Sequence, residues 1–132
     1  MSPELGEIIE RISDNDFRYK EDAYFFVMEA LSYSQQKFKC PKHVTGVELL
    51  MGIKDLLLDK FGPLTVPVLR HWGIKSTEDF GHIVFNLVSN QVLSKTDEDN
   101  IESFRNGYNF EDVFIQGYRK MLAKKISRMR SM

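Results

Sequence analysis

Apolar residues recur along most of the chain at the spacing of an α-helix. The first pattern places a short helix at residues 4–12, and the segment SDND that follows is predicted to end it. The apolar face of this helix consists of Leu5, Ile8, Ile9 and Ile12. A second helix is predicted at residues 20–38, where the apolar face is broad enough to indicate a central, buried helix. That face consists of Ala23, Tyr24, Phe26, Val27, Met28, Ala30, Leu31 and Phe38.

A capping box predicts where the third helix begins. Thr45 is followed three residues later by Glu48, so the hydroxyl and the carboxylate can each accept a hydrogen bond from a free backbone amide. The helix is predicted to run to about Phe61, where Gly62 can adopt a left-handed conformation and Pro63 cannot continue the helix. Its inward residues are predicted to be Leu49, Leu50, Ile53, Leu57 and Phe61.

Two helices at about 66–72 and 77–90 follow, separated by a glycine turn. Thr65 is predicted to cap the first, and Ser76 with Asp79 repeats the capping-box pattern before the second. The second helix is predicted to turn Phe80, Ile83, Val84, Leu87 and Val88 toward the core.

Residues 91–109 lack helical periodicity. Two short strands, near Val92–Ser94 and Ile101–Arg105, are predicted to pair as a hairpin. Helix, turn, helix and hairpin then follow in the order of a winged helix. The predicted fold class is therefore mainly α: a compact multi-helix domain with a degenerate winged-helix-like unit formed by helices 66–72 and 77–90 and a short hairpin at 92–105.

The last helix is predicted from Phe110 to about Met129 and has the most regular apolar stripe. The stripe consists of Phe110, Val113, Phe114, Tyr118, Met121, Leu122, Ile126 and Met129. The length of 132 residues and the 42% hydrophobic content are those of one globular domain, residues 1–132. No apolar run approaches the length of a membrane span.

Charge is distributed unevenly along the chain. Residues 119–132 form a basic C-terminal end with a balance of +6 and no acid, whereas residues 1–118 carry 12 Lys and Arg against 19 Asp and Glu, a balance of −7. The candidate binding residues of this end are Arg119, Lys120, Lys124, Lys125, Arg128 and Arg130.

The basic end has three interpretations. In the simplest, the stripe covers the core and the cations suit the negative end of the helix dipole, although six exceed what the dipole needs. In the second, the cations form an arm that binds structured RNA or other nucleic acid through its phosphates. In the third, a basic amphipathic helix docks on an acidic protein, an anionic membrane or the acidic body of a second copy.

The predicted winged-helix unit is a poor DNA reader. The outward positions of its second helix are expected to include Thr77, Glu78, His82, Asn86, Ser89 and Asn90. None of them is Lys or Arg, and the predicted wing carries the acidic segment TDED. Acids that face phosphates oppose the electrostatic attraction on which affinity depends. We therefore interpret the two helices at 66–72 and 77–90 as a packed, capped pair and not as a DNA-reading unit.

Motifs for catalysis or metal binding are weak. Cys40 and His43 form a single C-x-x-H pair, whereas a structural zinc site commonly uses two such pairs. We therefore expect no metal and no cofactor. The sequence contains no glycine-rich phosphate loop, nucleophile elbow or paired-carboxylate motif, so no catalytic residue is predicted. One polar cluster stays open as a hypothesis, made of His43, Glu48 and His82 if the fold brings them together.

Several strings resemble a small uncharacterised bacterial family that is found mostly in planctomycete and verrucomicrobial genomes. The matching strings are RYKEDAYFFVMEAL, HVTGVELL, FGPLTVPVLRHWGI, EDFGHIVFNL and LSKTDEDNIESF. The similarity covers most of residues 17–115 and excludes the basic end. Because the family has no assigned activity, the resemblance implies no catalytic residues.

These patterns predict a non-enzymatic interaction module. The single cysteine and the acidic N-terminal segment, which is unlike a signal peptide, favour the cytoplasm. The expected partner is an acidic protein or a second copy, which the basic C-terminal helix would contact. The alternative is a nucleic-acid-associated protein that uses the basic end on a winged-helix-like scaffold.

Overall fold

The structure, a computed structural model, describes residues 4–38, 44–93, 101–105 and 107–130. Its α-helices are α1 (Leu5–Asn15), α2 (Glu21–Lys37), α3 (Gly46–Phe61), α4 (Thr65–Trp72), α5 (Thr77–Ser89) and α6 (Gly117–Arg130). Short 3-10 turns occupy Gly62–Leu64 and Ile101–Phe104, and a π-helical turn, Glu111–Gln116, leads directly into α6. The described ranges contain no β-strand, which confirms the mainly helical fold class.

Helix α2 lies at the centre of the core, as its broad apolar face predicts. Tyr24 and Val27 are fully buried, and α2 packs along α3 through small residues. Gly52 of α3 sits directly against Ser34 of α2, where any Cβ atom would collide with the serine hydroxyl. The absence of a side chain at Gly52 therefore sets the close approach of the two central helices.

The start and end of α3 match the sequence prediction. The Thr45 hydroxyl accepts from the Glu48 amide at 3.1 Å, and the Glu48 carboxylate accepts from the Thr45 amide at 3.0 Å. Gly62 ends the helix with a φ of 48°. The predicted cap at Thr65 is wrong, because this buried residue has helical backbone angles and its hydroxyl donates to the carbonyls of Leu57 and Gly62.

Helix α1 is longer than predicted. The polar segment SDND does not end it at residue 12, since α1 continues to Asn15 and the Asp16 amide donates to the Ile12 carbonyl. Polar residues are compatible with a helix when they face solvent, and Asp14 and Asn15 do so.

The helix–turn–helix formed by α4 and α5 is present. Gly73 ends α4 in the left-handed region with a φ of 88°. Asp79 supplies the carboxylate of the predicted capping box, because its Oδ2 accepts from the amide of Ser76 at 3.2 Å and from that of Lys75 at 2.7 Å. Phe80, Ile83 and Leu87 are fully buried, as expected.

The predicted hairpin is wrong in its described part. Ile101–Phe104 forms a 3-10 turn, and residues 94–100 lie outside the described ranges. The Phe104 ring rests between Gly46 of α3 and Gly81 of α5, where a Cβ on either glycine would crowd it. The hydroxyl of Thr77 donates to the Phe104 carbonyl at 2.6 Å. This turn therefore closes a slot between two helices instead of pairing with a strand.

An aromatic cluster attaches the C-terminal segment to the core. The rings of Tyr108, Phe110 and Phe114 pack against one another with centroids 5.7–6.2 Å apart, and Phe110 also contacts Phe80 of α5. The Tyr108 hydroxyl donates to the Leu50 carbonyl at 2.8 Å. These contacts hold the π-helical turn on the body and fix the point from which α6 departs.

Candidate interaction surface

Helix α6 leaves the body with its apolar stripe uncovered. The start of the predicted stripe is packed, since Phe114 is buried and Tyr118 lies beside Gly62. Beyond that point no residue of α6 is buried. Four apolar side chains are 41–65% exposed, namely Met121, Leu122, Ile126 and Met129. The interpretation in which the stripe covers the core is therefore wrong for this half of the helix.

The exposed helix is amphipathic. At about 100° per residue, Tyr118 and the four exposed apolar residues share one side of α6, within an arc of roughly 140°. Lys125 falls inside this arc, between Met121 and Met129. The arc is flanked by Arg119 and Arg130 on one edge and by Arg128 on the other, whereas Lys120 and Lys124 lie toward the opposite side of α6.

All six cations predicted as binding residues are exposed. None forms an ion pair with another described residue, whereas four described cations elsewhere do, namely Arg18, Lys37, Lys60 and Arg105. Residues 117–130 contain no acid, so neighbouring turns of the helix do not neutralise them. The charge of α6 therefore faces outward and uncompensated.

A second surface, of opposite charge, lies on α2. Phe25 is 41% exposed, although its aromatic neighbours Tyr24 and Phe26 are buried. Its helical neighbours one turn away are Glu21, Asp22 and Glu29, and all three are exposed. We call these four residues the α2 acidic face. A shallow, open depression of about 300 Å³ adjoins its N-terminal end, lined by Ser13, Lys20, Glu21, Asp22 and His71.

Sequence reasoning missed the α2 acidic face. The signal was present, since Phe25 lies off the buried stripe and has acids at positions i−4, i−3 and i+4. The breadth of the apolar face of α2 concealed it. Only the structure separates the aromatic side chain that faces solvent from those that face the core.

Two of the α5 residues that were predicted to face outward, where a DNA-reading helix would contact bases, make contacts within the fold. Thr77 is buried, and Asn86 is half-buried and donates to Asp16 at 2.9 Å and to the Tyr24 hydroxyl at 3.0 Å. Both residues were predicted to face outward, and both are instead committed to contacts within the fold. This correction leaves α5 with fewer polar groups for a nucleic-acid base.

An Asp16–Arg18 ion pair lies next to these contacts. Arg18 donates two hydrogen bonds to Asp16 Oδ2, at 2.7 and 3.2 Å. The hydrogen bond from Arg18 holds the pKa of the Asp16 carboxyl well below its ordinary value, and the Asn86 amide adds to this effect. The ion pair lies within the α1–α2 loop, and the hydrogen bond from Asn86 to the same carboxylate connects this loop to α5, so the role of Asp16 is in folding.

A second polar contact joins the same loop to α5. The Tyr19 hydroxyl donates to Asp79 at 2.5 Å. Burial raises the pKa of the Tyr19 phenol well above its ordinary value, and the hydrogen bond to Asp79 raises it further. The phenol therefore stays protonated and acts as a donor, which is a structural role.

The polar cluster proposed from the sequence is not assembled by any described contact. His43, like Cys40, lies outside the described residues. Glu48 serves the α3 capping box, and His82 Nε2 lies 3.7 Å from Glu78 on its own helix. Within the described ranges, no group of three or more His, Cys, Asp or Glu residues could hold a metal ion.

The chain matches no protein-family model, no curated protein and no solved structure. The resemblance of residues 17–115 to a bacterial family therefore stays a prediction. No helix in the described part of the chain has both the length and the apolar character needed to cross a membrane.

Proposed function

We propose that this chain is a non-enzymatic interaction module of the cytoplasm, and that α6 is its docking helix. One observation carries the proposal: α6 exposes an apolar stripe and six uncompensated cations, whereas the rest of the last segment is anchored in the core. Exposed apolar surface with a charged rim is typical of a protein-binding surface.

The physical argument concerns the stability of α6 itself. A helix of about 14 residues is marginal in water unless one face packs against something. Complete burial of a side chain such as Leu122 or Ile126 contributes about 1.5–3 kcal/mol. A partner that covers the stripe therefore stabilises both the contact and the helix.

The alternative function is association with nucleic acid. It is favoured by the six cations of α6, which have no acidic neighbour on their own helix. It is opposed by the balance of −7 on residues 1–118 and by the acids Glu78 and Asp79 at the start of α5. It also leaves the apolar stripe without a role, so we place it second.

A photo-crosslinking amino acid at Met121 tests the proposal in the full chain. Expressed in the cells that naturally produce the chain, this variant is expected to give protein adducts that resist nuclease. The same amino acid at Val47, an exposed apolar position on α3, provides the matched control and should give few adducts. Adducts that disappear on nuclease treatment would replace the proposal with the alternative.

Salt dependence gives an independent check on the alternative. Phosphate binding through α6 predicts a logarithmic salt slope of about −0.9 per cation engaged on duplex DNA and about −0.7 on single strands. We expect gel shifts at background for the wild type. Steep, salt-sensitive binding that is lost when Lys120, Lys124 and Arg128 become Gln, and kept when Arg11, Arg70 and Lys75 become Gln, would contradict the proposal.

A further inference from the structure

We propose that the partner bound by α6 is a second copy of this chain, and that the apolar side of α6 docks on the α2 acidic face of that copy. The inference rests on the proposed function and names its partner. Both surfaces are exposed in a single copy. The contact therefore joins two molecules instead of closing within one.

Charge complementarity selects this partner surface. The α2 acidic face presents Glu21 and Asp22 beside Phe25, together with Glu29, which also pairs with Lys60. On α6, the apolar arc of Leu122 and Ile126 contains one cation and is bordered by others, namely Arg119, Lys125 and Arg128. Each surface has an apolar centre and a charged rim of opposite sign. Such an arrangement gives both burial and electrostatic steering when the two surfaces meet.

The two helices also match in length. At about 1.5 Å per residue, the 14 residues of α6 span about 21 Å and the 17 residues of α2 about 26 Å. Helices that cross or lie along each other approach to about 8–10 Å, depending on the side chains between them. The Phe25 ring can therefore contact Leu122 and Ile126, and the cations inside or beside the apolar arc can reach the carboxylates next to Phe25.

Other occupants fit these charges less well. Pairing of α6 with α6 of another copy would bring together two helices that each carry six cations and no acid. An anionic membrane or a nucleic acid would attract α6 but repel the body, which carries a balance of −7. A second copy attracts both parts at once.

Each copy offers one docking helix and one acidic face. Two copies can therefore bind reciprocally, so that the contact forms twice in one dimer. Sedimentation velocity over a range of protein concentrations should show wild-type mass rising above that of the monomer. Raised salt should shift the same curve toward the monomer, because the rim charges are exposed.

A charge exchange tests which surfaces meet. One variant carries Arg119→Glu, Lys125→Glu and Arg128→Glu, at cations inside or beside the apolar arc of α6, and the other carries Glu21→Lys and Asp22→Lys. Each variant alone is expected to associate at least about ten-fold more weakly, and an equimolar mixture should recover association because the acidic α6 now faces a basic α2. A mixture that stays monomeric while both variants keep the wild-type circular dichroism would overturn the proposal.

A second pair of variants separates loss of contact from loss of fold. Leu122→Gln with Ile126→Gln changes exposed residues of α6 and should weaken association by at least about ten-fold at an unchanged Tm. Val47→Gln with Leu64→Gln alters two exposed apolar residues elsewhere on the surface and should leave association intact.

Three results would reject a second copy as the partner. A wild type that is monomeric at every concentration would do so, as would monomeric protein that co-sediments with phosphatidylserine vesicles or with RNA. If crosslinks from Met121 then reach other proteins, the proposed function stands and only the identity of the partner fails.

Discussion

The backbone of Gly73 lies directly against the carbonyl oxygen of Arg18, so close that a Cβ atom on the glycine would overlap that oxygen. The amide of Lys20 donates to the carbonyl of Trp72 at 3.1 Å beside it. The turn between α4 and α5 is thus attached to the loop between α1 and α2 through main-chain atoms, which cannot rotate aside.

Replacement of Gly73 by Ala should destabilise the protein strongly. The left-handed backbone alone costs a residue with a Cβ atom about 1–2 kcal/mol, and the overlap with Arg18 adds a packing cost of about 1–3 kcal/mol. Chemical denaturation measures the change. Gly6→Ala is the control, because a Cβ there meets nothing within 4 Å, and it should raise stability by about 0.5–1 kcal/mol. Equal effects of the two changes would contradict the structure.

The hydrogen bond between Tyr19 and Asp79 should appear as a coupling energy. Tyr19→Phe removes the donor and Asp79→Ala removes the acceptor, so the two losses should not add. We expect a coupling of about 0.5–3 kcal/mol in a double-mutant cycle of unfolding free energies. The same cycle between Tyr19 and the exposed Glu102 should give none, and additivity within about 0.3–0.5 kcal/mol at Asp79 would show that the bond is absent.

Stability should fall in acid in part because of Asp16. The hydrogen bond from Arg18 lowers the pKa of this carboxyl in the folded protein below its ordinary value of 3.8. A lowered folded pKa means that the stabilisation is complete at neutral pH and is lost as the pH falls below that ordinary value. Asp16→Asn should therefore reduce the slope of unfolding free energy against pH below about pH 4. An unchanged slope would mean that the ion pair does not stabilise the fold.

Phe104 should be a core residue, although the sequence places it in a polar segment. Its side chain is 3% exposed in the slot between Gly46 and Gly81. Phe104→Ala should cost about 3–5 kcal/mol, whereas Phe17→Ala, at a side chain that is 88% exposed, should change stability by no more than about 0.5 kcal/mol. Thermal melts of both variants would measure the difference. A Phe104→Ala variant as stable as the wild type would show that the turn at Ile101–Phe104 is not part of the core.

Local signals predicted the helices well. The Thr45 and Glu48 capping box and the positive φ of Gly62 and Gly73 depend on residues within one turn, which a sequence displays directly. Thr77 and Asn86 were misplaced because their partners lie 27 to 70 residues away. The same limit affects Thr65, whose hydroxyl has a choice between capping its own helix and bonding the preceding one.

In the candidate interaction surface, too, local features were predictable from the sequence and long-range contacts were not. The apolar stripe and the cations of α6 were evident from spacing, but spacing does not say whether a stripe is covered. Phe114 and Met121 belong to one stripe, yet only Phe114 meets the aromatic cluster of the body. Whether a periodic face becomes core or surface is decided by where the chain departs from the fold, and that is a property of the whole molecule.

The π-helical turn at Glu111–Gln116 determines the direction in which the apolar stripe of α6 faces. A π turn holds one more residue than an α turn, and one residue of helix is about 100° of rotation. Loss of a single residue there would swing the apolar stripe of α6 about a quarter turn around its axis with every contact side chain unchanged. The orientation of the stripe and the identity of its side chains are therefore set by different segments of the chain. A one-residue insertion or deletion in the π-helical turn would change which partner surface the stripe can reach without changing the side chains that make the contact.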